Sequence, residues 1–151
     1  MQAFPHHYTV TAESAMRGDV HLSAPRLTHL LSASPAEFDG PGDCWSPETF
    51  LVGAVGDCLV LTFRAVARAS KLPWTSLHCD VTGTLDRVER TTQFTNFDVA
   101  AHLEVPVGTD PAQARRALEK AERTCLISNS LKGTIHLIPD IVVATEREVH
   151  A

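Results

Sequence analysis

The chain has 151 residues, of which 44% are apolar and 21% charged, and its formal net charge is −5. This length fits a single domain, 1–151, and the acidic balance argues against nucleic acid or an anionic membrane surface as partner, since both attract basic patches. No run of about 18 to 20 uninterrupted apolar residues is present, and residues 1–8 lack the basic start and apolar run of a signal peptide. We therefore expect a cytoplasmic protein.

The N-terminal part of the sequence predicts a hairpin and then a long helix. Two short alternating stretches, 8–12 and 20–24, flank a turn that contains Gly18 and Asp19, a pattern typical of a hairpin. After a Gly/Pro/Asp loop, Ser46 and Pro47 fit the cap and the first position of a helix that runs to about residue 70. Because this helix is apolar on nearly all sides, we expect it to be buried, centrally or in a dimer interface.

The remaining sequence predicts two long strands, a second helix and a final strand region. Period-two alternation over 77–86 and 97–107 is typical of half-buried strands in an antiparallel sheet. The second helix begins at Asp110, with Gln113 at the capping-box position. Its apolar stripe comprises Ala114, Ala117, Leu118 and Ala121. Residues 135–144 predict a further strand or two, broken at Pro139 and Asp140. Strands and helices in such blocks indicate an α+β fold.

Four cysteines are too few for a disulfide scaffold in a chain this long, so we interpret any pairing as catalytic or redox-sensing. Cys79 lies on the apolar face of its predicted strand, so we expect it to be a core residue. Cys44 fits a partly exposed loop. Cys58 lies in the apolar helix and Cys125 at a helix end, where a thiol pKa can be tuned. Spacing alone leaves all six pairings open. The spacings of Cys and His predict no metal site.

The histidines are interpreted as surface residues. Two of them, His78 and His102, lie on the polar faces of predicted strands, and His6, His7 and His150 lie near the termini.

Two segments of the sequence carry distinctive motifs around a cysteine. Residues 45–51 (WSPETFL) and 54–59 (AVGDCL) are similar to a helix of the OsmC/Ohr family, in which Pro-Glu is followed ten residues on by a cysteine. Residues 121–129 (AERTCLISN) resemble its second-cysteine segment, in which Ser-Asn follows three and four residues after the cysteine. The resemblance spans essentially the whole chain. It implies an OsmC-like fold of antiparallel sheets, a long buried central helix and an intertwined homodimer.

The resemblance also implies an organic hydroperoxide reductase. Cys58 would attack the peroxide, and Cys125 would resolve the sulfenic acid as a disulfide that an external dithiol or lipoyl-type reductant reduces. Neither a cofactor nor a metal is implied. Glu48 takes the role of the glutamate that holds an arginine beside the thiolate. For that arginine we favour Arg17 over Arg26.

Helix geometry bears on the role of Glu48. Ten residues of straight helix separate it from Cys58 by about 15 Å, too far to organise the pocket of the same cysteine. Either the helix is broken or Glu48 serves the cysteine of a second subunit, and we favour an obligate homodimer with two shared sites. The alternatives are a non-catalytic dimer that binds a small apolar ligand and a thiol redox sensor. A cysteine hydrolase is disfavoured because no histidine adjoins either cysteine in sequence.

Overall fold

The computed structural model describes residues 1–145, which form six strands, two α-helices and two short 3-10 helices. They divide into two compact units, Met1–Leu51 and a second unit that begins at Val52. The expectation that 1–151 forms one domain stays a prediction. His150 lies outside the described residues.

The first unit contains a three-stranded antiparallel sheet. Its strands are β1 (Thr11–Glu13), β2 (Val20–Ser23) and β3 (Leu30–Ser32), in that spatial order. The predicted hairpin is confirmed, with Thr11 opposite Ser23, although β1 begins three residues later than expected. Strand β3 was not predicted, because three residues are too few to show an alternating pattern.

The second unit contains a mixed sheet in the order β4-β5-β6. Strands β4 (Ser76–Val88) and β5 (Thr91–Val105) are antiparallel, as predicted. Strand β6 (Thr134–Val143), however, runs parallel to β5. The reason is the helix α2 (Pro111–Thr124) between them, which carries the chain back along the sheet before β6 begins. The expectation of purely antiparallel sheets is therefore wrong for β6.

The predicted break at Pro139 and Asp140 is also wrong. Strand β6 continues through both residues, with Pro139 in register with Ala101 and Asp140 with His102. Among the strands of residues 1–145, β6 pairs with β5 alone and is an edge strand, and proline is tolerated where its missing N–H faces away from the sheet. The identity of the edge strand is a property of the sheet, which local sequence does not reveal.

The long helix α1 (Pro47–Ala69) begins at the predicted cap. The Ser46 hydroxyl accepts from the Thr49 N–H at 3.2 Å, and the Ser46 N–H donates to the Thr49 hydroxyl at 2.8 Å. One stripe of α1 is buried, with members at every fourth position: Val55, Leu59, Phe63 and Ala67. Phe63 is completely buried and packs edge-on against Trp74, with ring centroids 5.3 Å apart. This stripe forms the core of the second unit together with inward-facing residues of the sheet and of α2.

The remaining surface of α1 is more apolar than that of an ordinary exposed helix. Leu61 is 53% exposed, so within a single chain the expected burial on all sides is met only along the stripe. By length and composition alone, α1 could cross a membrane, with a mean hydropathy of 1.8 over its most apolar window. A core helix covered by a second protein surface has the same composition.

Truncation of Phe63 is expected to have a large effect on stability. Phe63→Ala removes a fully buried ring from the α1 stripe and leaves a cavity, which should lower the free energy of unfolding by about 3 to 5 kcal/mol. Urea denaturation followed by circular dichroism measures this loss. Arg64→Ala, at the next and exposed position of the same helix, should change stability by only about 0.5 kcal/mol. Equal losses in the two variants would contradict the assignment of the stripe as core.

Candidate active site

The structure brings Cys58 of α1 and Cys125 into hydrogen-bond contact. Cys125 is the residue at which the chain leaves α2, and its backbone is already extended (φ −65°, ψ 113°). It is fully buried, whereas Cys58 is partly exposed, and both thiols are free. Of the six cysteine pairings that spacing left open, the folded chain therefore brings together Cys58 and Cys125. This is the pairing that the resemblance implied.

The segment after α2 is held in place by its own hydrogen bonds. The Asn129 N–H donates to the Cys125 carbonyl at 3.0 Å, and the Asn129 side-chain amide donates to the Arg123 carbonyl at 3.3 Å. These bonds satisfy carbonyls that the end of a helix leaves unpaired. A turn of 3-10 helix, Ser128–Ser130, begins three residues after the cysteine. Asn129 thus stabilises the backbone that carries Cys125.

Four hydrogen-bond donors act on the pKa of Cys58. They are the Cys125 thiol, the Ile127 N–H, the Thr62 hydroxyl and the Leu126 N–H. Burial is the largest single influence and raises the pKa of Cys58, but the donors together outweigh it and hold that pKa below its ordinary value. Donors lower a thiol pKa because they stabilise the thiolate more than the thiol.

Cys125 shows the opposite behaviour. Burial raises its pKa, and so does the hydrogen bond that it donates to Cys58. The hydroxyl and the N–H of Ser128, a buried residue, act in the lowering direction but do not reverse the shift. Cys58 is therefore the thiol that ionises first, and Cys125 remains protonated beside it.

The other residues implied by the resemblance belong to the first unit. Glu48 lies in the first turn of α1, and its Oε2 is buried without a hydrogen-bond partner among residues 1–145. Arg17 is exposed in the bend between β1 and β2. Arg26 is exposed between β2 and β3, with a left-handed backbone (φ 65°). Helix α1 is continuous from Pro47 to Ala69, which excludes the broken-helix alternative. The roles of Glu48 and Arg17 stay predictions.

Cys44 and the histidines lie where the sequence predicted, whereas Cys79, which was expected in the core, is only half-buried. Cys79 faces the interior, and burial, together with the Asp80 carboxylate, raises its pKa to about 11. Cys44 is partly exposed, and burial followed by two nearby carboxylates raises its pKa. The four histidines named above that lie within residues 1–145, His6, His7, His78 and His102, are all exposed.

Sequence reasoning missed Thr62 and the role of Ser128. Thr62 follows Cys58 by one helical turn and is the single polar side chain between Cys58 and Arg64. That spacing was a usable signal, since residues four apart on a helix are neighbours. The two backbone donors to the sulfur, by contrast, come from a segment that only the fold brings to α1.

The four thiols should differ in reactivity at neutral pH. Only Cys58 has a lowered pKa, so iodoacetamide at pH 7 should alkylate it first, ahead of Cys44, Cys79 and Cys125. Mass spectrometry of peptides from a time course measures the order. Cys44 is the informative comparison because it is also partly exposed. Faster labelling of Cys44 would show that exposure, and not ionisation, controls reactivity.

The family model described as OsmC-like protein matches residues 40–139. The chain belongs to this family. The uncharacterized protein YmaD of Bacillus subtilis is 29% identical to this OsmC-like chain over 139 residues, which cover 87% of the chain and 91% of YmaD.

Solved structures also resemble this OsmC-like protein. An OsmC-like protein of unknown function from Vibrio cholerae has a TM-score of 0.78 at 15% identity, with 89% of this chain and 100% of that one covered. An organic hydroperoxide resistance protein OsmC from Legionella pneumophila has a TM-score of 0.69 at 23% identity, with coverages of 92% and 100%. These likenesses confirm the predicted α+β, OsmC-like fold.

Proposed function

We propose that this OsmC-like protein is a thiol-dependent peroxidase that reduces organic hydroperoxides to alcohols. The observation that carries the proposal is the contact between Cys58 and Cys125, whose pKa values are shifted in opposite directions. A thiolate is the form that attacks a peroxide, and a neighbouring thiol is what resolves the product. The contact therefore supports Cys58 as the attacking residue and Cys125 as the resolving residue.

The reaction proceeds in three steps. The Cys58 thiolate attacks one peroxide oxygen, the O–O bond breaks, and the alkoxide leaves and takes a proton from water, so that Cys58 becomes a sulfenic acid. The Cys125 sulfur then attacks the Cys58 sulfur to form a disulfide, and the hydroxyl group leaves with the Cys125 proton as water. An external dithiol, of small-molecule or lipoyl type, reduces the disulfide to two thiols and is itself oxidised to a disulfide.

The surroundings of Cys58 support an organic substrate over hydrogen peroxide. Leu61 lies three residues after Cys58 on the same side of α1 and is 53% exposed. Leu126, whose N–H donates to the Cys58 sulfur, is 67% exposed. Two exposed apolar side chains beside a partly exposed sulfur offer contacts to an alkyl chain that hydrogen peroxide lacks. The matched structure from Legionella pneumophila is named an organic hydroperoxide resistance protein.

The functional form is proposed to be a homodimer in which Glu48 and Arg17 of one subunit serve Cys58 of the other. Three observations support this. Outside its buried stripe, α1 carries mostly apolar residues that are only half-buried, and Leu61 is exposed. The continuous helix separates Glu48 from Cys58 of the same chain by about 15 Å along its axis. The buried Oε2 of Glu48 lacks a donor among the described residues, as expected if its arginine partner belongs to the other subunit.

Hydroperoxide consumption by the wild-type protein tests the proposal. Cumene hydroperoxide and hydrogen peroxide are each supplied with dihydrolipoamide, and the oxidised protein is digested without reductant. We expect faster consumption of cumene hydroperoxide and a disulfide between the Cys58 and Cys125 peptides. No consumption of either peroxide would favour the non-catalytic ligand-binding dimer. A disulfide that forms once and resists the dithiol would favour the redox sensor.

A further inference from the structure

We propose that Thr62 is a further catalytic residue of this site, with its hydroxyl hydrogen-bonded to the sulfur of Cys58 when that sulfur is a thiolate. The inference rests on the proposed peroxidase function and adds to it a residue that the resemblance did not include. It starts from a contact within helix α1, where the Thr62 Oγ1 lies 3.8 Å from the Cys58 Sγ.

The position of Thr62 on the helix favours this contact. Side chains on a helix lean toward its N-terminus, so a residue leans over the one four positions earlier, here Cys58. Thr62 is half-buried and adjoins the fully buried Phe63, which places its hydroxyl at the margin of the core. Its neighbours Leu59, Val60, Leu61 and Phe63 are all apolar. No other side chain between Cys58 and Arg64 can donate a hydrogen bond.

The hydroxyl of Thr62 behaves differently from comparable hydroxyls in the chain. Serine and threonine side chains on a helix can donate to the backbone carbonyl four residues earlier. Ser70 donates to the Val66 carbonyl at 3.0 Å, and Thr124 donates to the Lys120 carbonyl at 2.8 Å. The side-chain partner of Thr62 is instead the sulfur of Cys58. Its hydroxyl is thus available to the reacting atom.

The chemistry of a thiolate fixes the direction of this bond. A thiolate can only accept, so Thr62 must donate to it, and a hydrogen bond to an ionised acceptor is about twice as strong as one between neutral groups. The bond therefore strengthens as Cys58 loses its proton. The titratable group that faces Cys58 is Cys125, and the other donors are the N–H groups of Leu126 and Ile127. Thr62 is the one donor to this sulfur that a side-chain substitution on α1 removes.

The test compares Thr62→Val, which keeps the shape and removes the hydroxyl, with Thr62→Ser, which keeps the hydroxyl. The rate of iodoacetamide alkylation at Cys58 is measured by peptide mass spectrometry across pH, with no peroxide present. Thr62→Val should raise the midpoint of this profile by about one pH unit, so that alkylation well below the midpoint slows roughly tenfold. Thr62→Ser should keep the wild-type midpoint. Thr62→Ala serves as a second hydroxyl-free variant if Thr62→Val folds poorly.

The high-pH end of the profile separates catalysis from structure. Once Cys58 is fully ionised, Thr62→Val should react as fast as the wild type or slightly faster, because a thiolate of higher pKa is the stronger nucleophile. A purely structural role would instead slow alkylation at every pH. An unchanged midpoint in both hydroxyl-free variants, or a Thr62→Ser profile like that of Thr62→Val, overturns the inference. Hydroperoxide consumption by the wild type is measured separately. If the wild type shows no turnover, the proposed peroxidase function is refuted, but the alkylation profile still tests whether Thr62 stabilises the Cys58 thiolate.

Discussion

Cys58→Ser is expected to abolish hydroperoxide consumption, with a loss of roughly three orders of magnitude or more. The serine hydroxyl keeps nearly the same volume but stays protonated at neutral pH, so the four donors that stabilise a thiolate have no anion to stabilise. Oxygen in this position is also a far weaker nucleophile toward the O–O bond than sulfur. The measurement is the rate of cumene hydroperoxide loss in the presence of dihydrolipoamide.

The matched control is Cys44→Ser, because Cys44 lies in a loop of the first unit and, like Cys58, is partly exposed. It should keep the wild-type rate. Full activity in Cys58→Ser would refute the proposed mechanism, and a joint loss in both variants would point to damage that is not specific to the site. Thermal denaturation of each variant shows whether the fold is retained.

Cys125→Ser is expected to keep the first step and lose efficient turnover. The serine hydroxyl can still donate to the Cys58 sulfur, so the thiolate should form and consume one equivalent of hydroperoxide per subunit. The sulfenic acid then lacks a resolving thiol, and steady-state turnover with a dithiol should fall on the order of 10- to 100-fold. A rapid-mixing experiment measures the burst, and trapping with dimedone followed by mass spectrometry locates the sulfenic acid on Cys58.

Cys125→Ala separates the two roles of this residue. Alanine supplies neither a resolving thiol nor a donor, so the burst itself should slow at neutral pH, whereas in Cys125→Ser it should not. Equal bursts in the two variants would show that the Cys125 donor does not assist ionisation of Cys58. Unchanged steady-state turnover in Cys125→Ser would show that external thiols attack the sulfenic acid directly.

Features that depend on local pattern were predictable from the sequence. The alternating stretches became β4 and β5, and the stripe predicted on α2 is the stripe that is buried: Ala114, Ala117, Leu118 and Ala121. Ser46 caps α1 as expected. Each of these outcomes depends on side chains a few residues apart, whose spacing relative to the helix or strand period decides which face is covered.

Features that depend on pairing between distant segments were not predictable. The sequence indicated a break at Pro139, yet β6 continues because it is an edge strand, and it pairs parallel to β5 because α2 returns the chain first. Strand β3 is defined by its pairing with β2 and not by a pattern in its own three residues. Edge position and strand direction belong to the assembled sheet, and the residues of a single strand do not encode them.

The candidate site likewise combines features that the local sequence predicts with features that only the folded structure creates. By itself, the sequence determined that Cys58 lies on a long apolar helix with Thr62 one turn beyond it, and that Cys125 ends a second helix ahead of Ser-Asn. Only the tertiary structure decided that these helices bring the two sulfurs together and aim the N–H groups of Leu126 and Ile127 at Cys58. The physical reason is that a thiol pKa depends on burial and on donors within a few ångströms, and such donors come from whichever segments the packed core places there.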